Sequence, residues 1–169
     1  MELAARIGTM AANGTDPLDQ LIENLRSYFS GSGTGTLDLT GIFDKPTTII
    51  NNGWPNSSQF FRNGHWEEII IPNVIPAVSY CFSSNYLKVL RCYSLSLRCL
   101  IGCPNLKDVY LSGITASQIK DNVSWFPFEA PTTCTFHGND GKKVIYDEAT
   151  SAWVIVDDVS AGWGGDINA

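Results

Sequence analysis

Two histidines, five cysteines and the acid pair Asp157-Asp158 are the side chains of this chain best suited to chemistry. A histidine can serve as general base or metal ligand, and a thiolate as nucleophile. His65 follows a glycine beside Trp66, and His137 falls at the end of a strand pattern; neither stands in a metal motif or beside a recognisable nucleophile. Cys99 and Cys103 are four residues apart, but no nearby histidine completes a zinc set. An odd number of cysteines leaves at least one without an intramolecular partner. Cys81, Cys92 and Cys134 fall at inward positions of an apolar pattern, with Cys103 in the turn before a strand, so all four read as core residues. Asp157 and Asp158 end a strand and read as a solvated charge pair. The run Ser30-Gly31-Ser32-Gly33-Thr34-Gly35 resembles a phosphate-cradling loop only superficially: it follows a helix and opens a strand, and no GK[ST] accompanies it. Asn-x-Ser/Thr sites at Asn13, Asn56 and Asn122 matter only in a eukaryotic secretory pathway. The chain reads as a non-enzyme, with no cofactor and no metal.

What remains is contact chemistry. Ile70, Val89, Arg91, Tyr93, Tyr110 and His137 combine apolar area with directional hydrogen bonding, and Tyr and Arg are enriched at contact sites. They can form one surface only if a regular element aligns them, and a repeat does so. Five copies of a twelve-residue pattern occur: YFSGSGTGTLDL (28–39), FFRNGHWEEIII (60–71), CFSSNYLKVLRC (81–92), LIGCPNLKDVYL (100–111) and WFPFEAPTTCTF (125–136). Positions one, two, ten and twelve are apolar in every copy, and successive copies start 32, 21, 19 and 25 residues apart. Residues at i and i+2 share one face of a strand, so positions ten and twelve point inward and position eleven outward. One repeat cannot bury its apolar face alone, whereas stacked repeats bury it in a parallel sheet, with the pair at positions one and two as the opposite wall. The expected fold is therefore a β-rich solenoid; a β-sandwich is the alternative. Outward positions nine, eleven and thirteen predict a grid: Thr36, Asp38, Thr40; Glu68, Ile70, Pro72; Val89, Arg91, Tyr93; Asp108, Tyr110, Ser112; and Thr133, Thr135, His137. The grid can be a contact surface or ordinary cross-strand pairing.

Leu87-Lys88 and Cys103-Pro104-Asn105-Leu106-Lys107 before each central strand resemble the BspA-type leucine-rich repeat. The segment Phe126-Pro127-Phe128-Glu129-Ala130-Pro131, followed by Thr133 to His137 and Asp140-Gly141, resembles the final repeat of such domains in gut-bacterial and phage proteins. The likeness covers residues 60–141; the first copy lacks the Asn-Leu-Lys element. It implies a leucine-rich-repeat-like parallel sheet serving as a binding and adhesion scaffold, and it carries over no catalytic residue.

Around the repeats, residues 1–27 read as an arm and an amphipathic helix. Asp16 is its N-cap, Pro17 its first residue, and Leu18, Leu21, Ile22 and Leu25 its apolar face, suited to capping the first repeat or to joining a bundle in an oligomer. The repeats occupy 28–141, with 40–59 either a degenerate repeat whose strand is Thr47 to Ile50 or an inserted excursion. A C-terminal hairpin cap spans 142–158, with Val144, Tyr146, Trp153 and Ile155 on one face, and a Gly-rich tail spans 159–169, whose Trp163 reads as an anchor for assembly.

At 169 residues with 44% hydrophobic and 11% aromatic content, the chain holds one domain with ample core. A net charge of −6 with 11 basic residues argues against a nucleic-acid partner. The opening MELAARIGTMAANGTDP carries Glu2 and no apolar run of signal length, and no stretch suits membrane insertion, so export by a signal peptide is not expected. These features lead to the expectation of a phage virion component, a capsid accessory, tail or fibre protein. Its partners would be other virion proteins, a host surface receptor or further copies of itself. A bacterial surface or secreted adhesin is the alternative.

Overall fold

The computed structural model describes residues 34–41, 44–49, 65–76, 82–96, 98–123 and 129–159. Among these residues nine strands and one helix follow in chain order: β1 (Thr34–Asp38), β2 (Thr47–Ile49), β3 (His65–Ile71), β4 (Val74–Pro76), β5 (Val89–Cys92), β6 (Asp108–Leu111), α1 (Ala116–Val123), β7 (Thr135–His137), β8 (Lys142–Asp147) and β9 (Ala152–Asp157). The expected N-terminal arm and helix of residues 1–27 and the tail with Trp163 lie outside the described residues.

An open seven-stranded sheet runs β1-β3-β5-β6-β7-β8-β9 in chain order. Its first five strands are parallel; β8 and β9 continue it antiparallel. Alternation explains the strands. In β5 and β6 every second residue is fully buried, namely Leu90, Cys92, Val109 and Leu111. The ladder places Leu37, Ile69, Leu90, Val109 and Phe136 side by side, with Ile71, Cys92 and Leu111 in the next inward row. Each neighbour covers the apolar edge of the last, so the core is a stack of similar rows.

The segments entering the strands form the facing wall. Phe82, Leu87, Cys99, Leu100, Cys103 and Leu106 are all buried. Their backbones also stack: Lys107 N–H donates to the Lys88 carbonyl at 2.8 Å and Lys88 N–H to the Glu67 carbonyl at 2.8 Å. Asn105 Nδ2 donates to the Asn85 carbonyl one repeat back, at 2.7 Å. Beyond the strands, Gly113 lies under Tyr93, where an added Cβ would sit 2.3 Å from ring carbon Cε1, so any side chain there would displace the ring.

Two expectations change in detail. β1 pairs directly with β3, so residues 40–59 insert no strand between them in the main sheet. The strand expected there exists as β2, and it pairs with β4 in a separate two-stranded parallel sheet. The fifth copy is two residues out of the expected register: Tyr110 stands beside His137 and Val109 beside Phe136, where the pattern put Thr135 and Cys134. A slip of one residue would exchange the faces of a strand, but a slip of two leaves every side chain on its own face. Cys134 and Phe136 accordingly both remain buried.

α1 was not foreseen. It begins with a reciprocal cap: Thr115 Oγ1 accepts from Gln118 N–H at 3.4 Å, and Gln118 Oε1 accepts from Thr115 N–H at 2.9 Å. Ala116 and Ile119 bury its inner face. The C-terminal hairpin matches expectation closely, pairing Val144 with Ile155 and Tyr146 with Trp153.

Candidate binding face

The outward side of the parallel strands carries two in-register rows. One is Thr36, Glu68, Val89, Asp108 and Thr135; the other is Asp38, Ile70, Arg91, Tyr110 and His137. Neighbouring strands lie about 4.8 Å apart, so side chains within a row touch. Thr36 Oγ1 donates to Glu68 Oε2 at 3.2 Å, and Arg91 Nε donates to Glu68 Oε1 at 2.9 Å. The Arg91 guanidinium lies 4.0 Å above the centre of the Tyr110 ring. On its other side Tyr110 stacks on His137, with ring centres 4.1 Å apart and planes 10° from parallel. One relay of contacts thus runs from β1 to β7.

Each link is modest alone. The Arg91–Glu68 pair keeps about a quarter to a third of its side-chain surface in water, so solvent screening leaves it worth roughly 0.2–1 kcal/mol. The cation over the tyrosine contributes about 0.5–1 kcal/mol. Together they fix rotamers in advance of any contact, which lowers the entropy cost of binding. Burial, reinforced by the Asp108 charge, pushes the Tyr110 phenol above its ordinary range despite Arg91 nearby, so it stays a hydrogen-bond donor.

Of the six residues expected on an exposed face, Ile70, Val89, Arg91, Tyr93 and Tyr110 are half-buried on the outward side. His137 departs from expectation: it is 5% exposed. The sheet does not stop at β7, and β8 with the residues after β9 covers the ring. Its Nδ1 lies 2.5 Å from Asp158 Oδ2 and its Nε2 3.0 Å from Asp108 Oδ1. Asp158 was read as solvated, yet its side chain is 4% exposed, with Lys143 Nζ 3.7 Å from its other oxygen. Asp157 is exposed as expected. Nothing in the local pattern marks Asp158, because its partner stands 21 residues away and is met only through hairpin pairing.

Both nitrogens of His137 are engaged by carboxylates on opposite sides of the ring. The ring therefore offers no free nitrogen to a substrate, and the two acids cannot converge on one ion. Among the described residues no group of three or more His, Cys, Asp or Glu side chains is placed to hold a metal. His65 is exposed and lies against Tyr86, ring centres 4.4 Å apart. Cys92, Cys99, Cys103 and Cys134 are buried. Burial pushes the Cys99 thiol up to about 12 and the Cys103 thiol up to about 11, and raises that of Cys134 as well, so none of these three offers a thiolate. No described helix is long and apolar enough to cross a membrane.

Comparison with protein-family models, with curated proteins and with solved structures finds no match to the chain.

Proposed function

We propose that this chain is a non-catalytic structural and binding protein, with BspA-like repeats stacked as a leucine-rich-repeat-type solenoid, working as a component of a phage particle. The observation that carries the reading is the in-register outward face, on which Ile70, Val89, Arg91 and Tyr110 are aligned by parallel strands, with Arg91 held between Glu68 and the Tyr110 ring and Tyr93 just beyond the end of β5. A surface of this kind suits a protein partner: its central part is apolar and aromatic, its polar groups are already oriented, and no side chain on it is left in the state a nucleophile requires. A capsid accessory, tail or fibre protein uses such a face against other virion proteins, a host receptor or another copy of the chain. The Gly-rich tail with Trp163 supplies a second attachment in this reading.

Locating the chain tests it. Mass spectrometry of density-purified particles is expected to find the protein at a fixed ratio to the major capsid protein. Recovery only from the cell surface or culture medium would overturn the virion assignment in favour of a bacterial adhesin using the same face.

A further inference from the structure

The bridge Asp108–His137–Asp158 does more than fill space, because its hydrogen bonds cannot all be made in every protonation state. An ionised carboxylate only accepts, and a neutral imidazole donates from one nitrogen alone. With a carboxylate at each nitrogen, at 2.5 and 3.0 Å, both contacts are hydrogen bonds only when the ring carries two protons. Loss of one proton leaves a carboxylate facing a lone pair in a site where His137 and Asp158 are almost dry. The bridge also joins separate parts of the fold: Asp108 opens β6, His137 ends β7, and Asp158 follows β9. Asp158 N–H further donates to the Gly141 carbonyl at 3.0 Å, so the acid is held at the root of the hairpin.

We infer that this carboxylate–imidazole–carboxylate bridge, buried at His137 and Asp158 and partly open to water at Asp108, is a proton-dependent latch that fastens the β8–β9 hairpin to the parallel sheet. The groups facing the ring set its balance. Asp108 from β6 and Asp158 after β9 favour the doubly protonated ring. Lys143 from β8, near Asp158, and Arg91 from β5, across the Tyr110 ring, oppose it; Tyr110 itself is a protonated phenol stacked on the imidazole. The stabilisation belongs to the protonated form. Loosening the hairpin leaves β7 without its antiparallel neighbour and opens a strand edge to pairing.

The test is the melting temperature of the full chain from pH 5.5 to 8.5, compared with Asp158→Asn, His137→Gln and His65→Gln. Wild type and His65→Gln should both lose on the order of 4 °C more across that range than Asp158→Asn or His137→Gln. Ring-nitrogen chemical shifts of His137 in the wild-type chain should show two protonated nitrogens at pH 5.5; this readout needs no variant to fold. Equal pH profiles in wild type and the His137 and Asp158 variants, or a neutral His137 ring at pH 5.5, would overturn the latch.

Discussion

At the scale of single residues, one strand carries the sharpest contrast. Ile70 and Ile71 are adjacent and chemically identical, yet Ile71 is 1% exposed in the inward row whereas Ile70 is half-buried beside Arg91. Truncating a fully packed Ile or Leu removes its transfer free energy and leaves a cavity, costing about 2–5 kcal/mol. Ile71→Ala and Leu111→Ala should each destabilise by that amount in urea titrations, and Ile70→Ser by well under half of it. The cysteines make a second residue-scale case. Their folded values lie above those of the unfolded chain, so the stability they contribute is present below about pH 8.5, the ordinary thiol value. It is lost above that, as unfolded thiols ionise while the buried ones cannot. At pH 8 a thiol reagent followed by peptide mapping should leave Cys99, Cys103 and Cys134 unmodified in the folded chain and label all three in denaturant. The inward placement of Ile71, Leu111 and Cys134 and the outward placement of Ile70 were legible in the sequence, because period-two alternation is a direct image of the pleat. Burial of His137 and Asp158 was not, since it depends on which strand comes to lie beside β7.

At the scale of elements, the strands were easier to read than their register. Apolar alternation marks faces, and a two-residue slip preserves faces, so the fifth copy carries no signal by which Phe136 rather than Cys134 would be chosen as the neighbour of Val109. The helix α1 had a signal of a different kind. Thr115 and Gln118 have the spacing of a capping box and precede Ile119 and Val123, but the segment falls between repeat copies and is short enough to pass for a connection. Replacing Thr115 with Ala removes one half of that cap and should lower stability by about 1 kcal/mol. A loss of helical signal at 222 nm below the main transition should accompany it, and an unchanged melt would mean that packing of Ala116 and Ile119 alone holds the helix. Residues 40–59 stayed open in the sequence because a three-residue strand such as Thr47–Ile49 pairs with a segment 27 residues on and declares no face of its own.

For the molecule as a whole, the parallel stacking of like positions turns a weak sequence repeat into a continuous outward face. An inward hydrophobic row and an outward polar-aromatic row are two consequences of one alternation, so the scaffold and the proposed site are inseparable. The same order ties the Glu68–Arg91–Tyr110–His137 relay together, each side chain in contact with the next, an arrangement that fits the proposed role in recognition. The proposed partner is a protein and not a nucleic acid, in keeping with the net charge of −6. The central claim is that this face makes the contact, and a double variant reads it directly. Ile70→Lys/Val89→Lys places two charges in the middle of the face without touching the core rows, so its melting curve should stay close to wild type. Co-sedimentation of this variant with purified particles should fall at least tenfold relative to wild type. Co-sedimentation equal to wild type, with the fold intact, would contradict the account.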